Sequence, residues 1–341
     1  MQPVFVRLIS TTVLAFTAFI TLSTFFTVRA SEVTLLNVSY DVSREFYKEI
    51  NPAFAAHYKK TSGKDVKVDQ SHAGSSAQAR AVADGLEADV VTMNTTTDIE
   101  FLAGRGVVAA DWSKRFPHGA APTTSTMLFL VRNGNPKNIR DWADLIKPGV
   151  QVVLVNPKTG GNGRMAYLAA WGHILEKGGT AKQAEDFVTK LYKNVPVLAK
   201  GGRDATGVFL QRGIGDVLIT FESEVISVDR EFGAGKVDAI HPSASIVAEN
   251  PVAVVERTVA KRGTVDAAKA YLDFLYSEQA QEIAAKHGIR PRSEAVLKRY
   301  SSTFKPLTLF TVAKHFGSLS EAQKVHFNDG AKFDQLYTVG K

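Results

Sequence analysis

The chain has 341 residues, 41 lysines and arginines against 34 acids, a formal net charge of +7 and no cysteine. A disulfide framework and a cysteine nucleophile are excluded. The basic residues are spread along the chain with no basic-aromatic stripe, so there is no nucleic-acid signature. A diffuse positive field of this kind helps attract a small anion, and it is also common on exported proteins.

The first 30 residues read as a secretory signal. Arg7 supplies the positive start, Leu8 to Phe26 is apolar with interspersed Ser and Thr, and Val28-Arg29-Ala30 offers a cleavage site. Cleavage after Ala30 and export to a Gram-negative-type periplasm are expected. The alternative is a retained anchor, which the serines and threonines weaken. The remaining stretch of about 310 residues exceeds one ordinary core, so two domains are expected.

Val33–Tyr40 reads as a strand, with Asp41 or Ser43 as N-cap of a helix over Arg44–Lys60. Val66–Gln70 is a second strand. It runs into Ser71-His72-Ala73-Gly74-Ser75-Ser76 and a helix from Ala77 to Asp84. Asp89–Met93 is a third, followed by Asn94-Thr95-Thr96-Thr97-Asp98 and another helix start. This β-α-β-α-β order predicts a parallel, doubly wound sheet. Trp112–Pro122 reads as loop, Met127–Arg132 as a strand and Ile139–Leu145 as a short helix.

Val150–Val155 is an apolar, β-branched run that predicts a buried strand. Asn156–Arg164 (N-P-K-T-G-G-N-G-R) follows as a glycine-rich turn, and Met165–Lys177 as a helix. Strand, glycine turn and helix start together aim unpaired N–H groups at one point, a cradle for a small oxyanion. A plain turn using glycine for tight backbone angles is the alternative. A helix over Lys182–Tyr192, a strand over Val195–Lys200 and a second glycine turn, Gly201–Gly207, come next. Val208–Arg212 reads as a short helix, Asp216–Phe221 as a buried strand, 223–232 as a helix and Val237–His241 as a strand. Ile246–Val255, with Pro251 inside, suits a strand crossing back between domains. The tail is mostly helical, with Val265–Tyr276 and Glu278–His287 the clearest patterns.

Four strand-to-helix turns stand out: Ser39–Ser43, Ser71–Ser76, Asn156–Arg164 and Gly201–Thr206. Ligands of open α/β sheets sit beyond the carboxyl ends of strands, so two domains can bring two such turns each to one cleft. The glycines spell neither G-x-x-x-x-G-K-[ST] nor G-x-G-x-x-G, there is no G-x-S-x-G elbow, and the eight histidines show no ligand spacing. No metal, cofactor or catalytic residue is expected, and the chain reads as a non-enzyme.

The pieces Asn37-Val38-Ser39-Tyr40-Asp41, Gln70–Ser75, Asn156-Pro157-Lys158, Tyr167–Gly172, Arg212–Leu218 and Gln281–Lys286 resemble the periplasmic sulfate/thiosulfate-binding proteins of ABC importers. The resemblance runs from about Val33 to the C-terminus. It implies an α/β, two-lobed type II periplasmic binding protein, each lobe a mainly parallel sheet flanked by helices, closing over a dehydrated dianion. The lobes it implies are 31–125 with 246–341, and 126–245. It further implies a monomer that takes sulfate or thiosulfate and hands it to a membrane permease/ATPase complex. Another small oxyanion on the same fold is the alternative.

Carried over residue by residue, the resemblance makes Asp41 a helix cap that offers its backbone amide, and Ser75 a hydroxyl donor. Gly160, Gly161, Asn162 and Gly202 offer backbone N–H groups. Phe221 stands where sulfate receptors carry an indole donor, and cannot donate. The stretch Thr220–Glu224 and both glycine loops lie nearer the thiosulfate-binding branch. Gly160 replaces a usual serine, and Asp204 a usual glycine. The latter puts a carboxylate near an anion site unless it points away or pairs with Arg203. Thr159, Arg164, Arg203 and Asp204 are expected around the first ring of contacts. A donor-only pocket of this kind would leave the proton of hydrogen phosphate unpaired and so reject it.

Overall fold

The computed structural model describes residues 32–233 and 235–339, so the expected signal segment lies outside the described residues. Strand β1 (Val33–Tyr40) lies between β2 (Val66–Ala73) and β3 (Val90–Thr92), both parallel to it, in a sheet whose far edge beyond β3 is the later strand Val252–Val254. β1 is buried along most of its length, as V-T-L-L-N-V-S-Y predicts for a strand covered on both faces. The crossovers are α1 (Arg44–Ser62) and α2 (Ser75–Ala83), and α3 (Thr96–Ala103) follows β3. Their apolar sides, including Phe46, Ile50, Phe54, Val82 and Ile99, share one core with Leu35, Val38 and Val91.

The stretch expected as loop after α3 holds a single 3₁₀ turn, Trp112–Lys114, and a four-residue helical turn, α4 (Pro117–Ala120). Strand β4 (Thr123–Ser125) then leads through Thr126 into β5 (Met127–Arg132) and a second sheet. That sheet contains β6 (Val152–Val155), β7 (Leu198–Ala199), β8 (Val217–Phe221) and β9 (Val237–Ile240), in the order β7-β6-β8-β5-β9. β6 is parallel to β7 and β8, but β5 runs antiparallel to both β8 and β9. The second sheet is therefore mainly parallel, with four of its five strands running one way and one strand opposed. The antiparallel strand is β5, which enters from β4 without a crossover helix. Its two faces carry separate cores, one built on Phe129, Trp142, Val152 and Tyr167, the other on Leu128, Val153, Phe209 and Leu218.

On the second sheet, α5 (Gly161–Glu176) follows β6 and α6 (Ala181–Lys193) follows α5. Next come α7 (Gly202–Thr206) and α8 (Glu222–Phe232). Helix α6 opens on a capping box, with the Thr180 hydroxyl accepting from the Gln183 N–H at 3.2 Å. The expected 246–255 strand is broken in three: β10 (Ala244–Ile246), β11 (Ala248–Asn250) and β12 (Val252–Val254). Pro251, which has no N–H, sits at one break. β11 pairs antiparallel with β4, and β12 with β3, so this segment returns the chain to the first sheet. The short strand β13 (Arg290–Pro291) pairs with the other edge of β4. There Arg290 grips Glu222 through two bonds of 2.6 and 2.8 Å, tying the tail to the start of α8.

Candidate functional site

Turns from both sheets meet face to face. From the first come 40–43 after β1, 73–76 after β2 and 93–98 after β3. From the second come 156–164 after β6 and 200–206 after β7. The Arg203 N–H donates to Asp41 Oδ2 at 3.0 Å, and the Val42 N–H to Asp41 Oδ1 at 3.0 Å. Asp41 therefore ties two sheets together, instead of capping α1. Two glycines set the closeness of the approach. A Cβ on Gly161 would lie 2.0 Å from Asn94 Oδ1 and 2.4 Å from Thr95 Cγ2. One on Gly202 would lie 2.5 Å from Val42 Cγ2.

Helix α5 begins at Gly161, four residues earlier than expected, so G-N-G-R is its first turn and not a loop before it. Gly161 and Asn162 are its first two residues, Gly202 opens α7 and Ser75 opens α2. N–H groups at these positions have no acceptor within their own helix. Among the described residues, none of the four has a partner elsewhere. The Gly160 N–H is different: it donates to Asn156 O at 3.1 Å and closes its own turn.

Behind these amides lies a buried ionic knot. Asp98, in the first turn of α3, accepts from the Ser75 hydroxyl at 2.5 Å, the Ser76 hydroxyl at 2.9 Å and Arg164 Nη2 at 2.6 Å. The same Nη2 donates to Ser76 Oγ at 2.5 Å and Thr95 Oγ1 at 3.2 Å, while Nη1 reaches Gln323 Oε1. The Arg164 and Asp98 side chains are only 7% and 4% exposed, and the bonds to Ser75, Ser76, Thr95 and Gln323 offset part of the cost of burying the pair, while Arg164 Nε is buried without a partner. The Ser75 hydroxyl, expected to point at a ligand, gives its proton to Asp98 and accepts from the Asn94 N–H at 3.3 Å. A cavity of about 520 Å³ opens beside the knot, between α2, α3 and the Gln323–Asp329 segment.

The second turn is braced in the same manner. Arg203 pairs with Glu231, Nη2 to Oε1 at 2.8 Å, and its Nη1 lies 3.5 Å from Glu224. Glu224 is fully buried and accepts from the Thr206 hydroxyl at 2.6 Å. Burial pushes its carboxyl up to about 7, against the pull of Arg203. Burial also raises Asp41, opposed by the N–H bonds from Arg203 and Val42. Asp204 pairs with neither Arg203 nor a ligand position. It accepts from the Lys200 N–H and from Arg212 Nη2, both at 2.9 Å, and so turns its charge outward. The Thr159 hydroxyl lies 3.0 Å from Lys200 O and holds the two glycine turns together. Asn162 Nδ2 donates to Thr220 Oγ1 at 3.1 Å. Phe221 ends β8 with its side chain buried in the core of α5 and β5.

A family model described as bacterial extracellular solute-binding protein matches residues 36–290. The chain belongs to that family. A thiosulfate-binding protein of Pseudomonas aeruginosa is 52% identical over 305 residues, covering 89% of this chain and 92% of the relative. A sulfate-binding protein of Escherichia coli is 50% identical over 310 residues, covering 91% and 94%. Among solved structures, the sulfate-binding protein SubI of Mycobacterium tuberculosis matches with a TM-score of 0.80 at 34% identity, over 87% of this chain and all of that one.

This solute-binding protein therefore brings its four expected turns together and adds a fifth, Asn94–Asp98, which sequence reasoning passed over as a helix start. The signal was present: a hydroxyl-rich N-T-T-T-D directly after a buried strand, the same placement as the other four. Both arginines near the site are bound to carboxylates. Among the described residues no group of three or more His, Asp or Glu could hold a metal. What the site offers a small ligand is dipoles.

Proposed function

We propose that this protein is an exported receptor that binds sulfate or thiosulfate between two lobes and delivers it to the membrane permease/ATPase complex of an ABC importer. One observation carries the reading: four N–H groups at helix starts, drawn from both sheets, lack partners where Arg164 and Arg203 are already paired with carboxylates. A dianion leaving water needs many aligned donors, and charge-assisted N–H bonds contribute about 1.5–3 kcal/mol each. The backbone N–H groups of Ser75, Gly161, Asn162 and Gly202 are the assigned contacts, with that of Asp41 completing the ring. Phe221 supplies an apolar wall beside Thr220. Gly160 serves the turn rather than the ligand, and Thr159, Arg164, Arg203 and Asp204 act as braces. The names of the relatives support sulfate and thiosulfate equally, and leave the preference to experiment.

In this reading the lobes are 31–125 with 246–341, and 126–245, with β4 and β11 at the crossing. The signal over residues 1–30 directs the chain to the periplasm, where it works as a monomer. Ligand draws the lobes together by hinge motion. A thermal-shift panel of sulfate, thiosulfate, molybdate and phosphate tests the assignment. Sulfate, thiosulfate or both should raise the melting midpoint at micromolar concentration, and phosphate should not. A panel in which phosphate or molybdate alone stabilises would reject the ligand.

A further inference from the structure

We infer that the Asn162 carboxamide is itself a ligand contact, turning its Nδ2 group toward the oxyanion by a half-turn about χ2. The inference rests on the anion-receptor reading above and adds a side-chain donor to it. Asn162 is 2% exposed and sits where three elements meet. It is the second residue of α5, its Nδ2 lies 3.5 Å from where a Cβ on Gly202 would stand, and the same Nδ2 donates to Thr220 Oγ1 at the end of β8. The other end of the carboxamide, Oδ1, is buried and has no donor.

An unpartnered buried acceptor is costly in itself, and an oxygen turned toward an anion has the wrong polarity. A half-turn removes both defects. Thr220 carries a hydroxyl, which accepts from Nδ2 in one orientation and donates to Oδ1 in the other, so its bond is kept either way. The turn then delivers two N–H bonds' worth of donor to the position now held by the bare oxygen. The site needs such a group. Gly160 has no side chain, Phe221 has no donor, and the Ser75 hydroxyl is committed to Asp98. Across the cleft Asn94 Oδ1, 2.0 Å from where a Cβ on Gly161 would stand, is also without a donor. Two bare oxygens define the rival outcome, in which both carboxamides keep oxygen inward and the cleft selects an oxyanion that carries a proton.

Sulfate and thiosulfate are titrated calorimetrically into the mature protein, its Asn162→Ala variant and its Asn162→Asp variant, and side-chain ¹⁵N–¹H spectra of the wild type are followed in parallel. Loss of one charge-assisted donor predicts roughly a tenfold weaker Asn162→Ala, and the acceptor-only carboxylate predicts an Asn162→Asp at least about 100-fold weaker. The Asn162 NH₂ pair in the wild type moves downfield as anion is added. An Asn162→Asp variant that binds within twofold of wild type overturns the inference, as does a stationary NH₂ pair. So does a wild type that prefers hydrogen phosphate to sulfate. If either variant fails to fold, the wild-type spectra decide alone. A wild type that binds none of these anions defeats the receptor reading itself, a result distinct from the others.

Discussion

Gly161→Ala is the substitution that the closed arrangement resists most sharply. Gly161 has ordinary helical geometry at the start of α5, so alanine costs nothing in backbone strain and improves helix propensity. The added methyl, however, would stand 2.0 Å from Asn94 Oδ1 and 2.4 Å from Thr95 Cγ2, where van der Waals contact needs about 3.5 Å. Neither neighbour can swing aside, because Asn94 and Thr95 are 2% and 0% exposed. Overpacking of this size costs about 1–3 kcal/mol. Relief by parting the two faces instead forfeits contact with the Gly161 and Asn162 amides, about 1.5–3 kcal/mol apiece. The sum for anion binding is roughly 3–6 kcal/mol, or about 10²- to 10⁴-fold in affinity. Calorimetric titration of sulfate and thiosulfate measures it, with the melting midpoint of the anion-free protein as control. The midpoint should hold while affinity collapses. A Gly161→Ala protein that binds anion as tightly as the parent would refute the close-approach argument.

Other substitutions separate the elements of the site. Ser75→Ala removes a hydroxyl that Asp98 uses, so it should lower folding stability by about 1–3 kcal/mol in a denaturant titration while anion affinity falls less than about tenfold. The reverse pattern would return the hydroxyl to the ligand. Asp204→Asn should leave affinity within about twofold, because that carboxylate is held by Arg212 and the Lys200 N–H; a gain of tenfold would mean its charge reaches the cleft. Glu224 has a folded-state value of about 7 against an ordinary 4.5. The folded state therefore binds its proton more tightly than the unfolded one, and its contribution to stability falls as pH rises from 4.5 to 7. Glu224→Gln, which keeps an acceptor for Thr206, should thus be the more stable protein at pH 8, by up to about 3 kcal/mol, and no more stable at pH 4. Equal differences at both pH values would contradict this.

Much of this molecule could be read from its residues. The runs V-T-L-L-N-V-S-Y and V-L-I-T-F carry the signature of fully buried strands, and both form where expected. The glycine turns were located as well, but their structure was not. Gly161 and Gly163 have poor helix propensity, so local reasoning delays α5 to Met165, whereas packing decides otherwise. A Cβ at Gly163 would lie 2.3 Å from Val155 O, so the glycines are there to let this helix start press against its own strand. The expected strand Val195–Lys200 shrinks to Leu198–Ala199, because it is an edge strand with one neighbour. The roles of polar side chains were the least legible. Asp41 and the Arg203 N–H are 162 residues apart, and Asp98 meets Arg164 across 66. No spacing rule reaches that far. Sequence position alone sets Asp204 near the anion, whereas in the fold Arg212, eight residues further on, takes up its charge.

The central claim is that unengaged amides from two opposed sheets replace the water around a doubly charged oxyanion. Titration calorimetry of the mature, dialysed protein with sulfate and thiosulfate, repeated in the presence of an equal concentration of phosphate, tests it most directly. Tight one-to-one binding of at least one of the first two anions, unmoved by phosphate, is the expected result. No measurable heat with either, or displacement by phosphate, would contradict it.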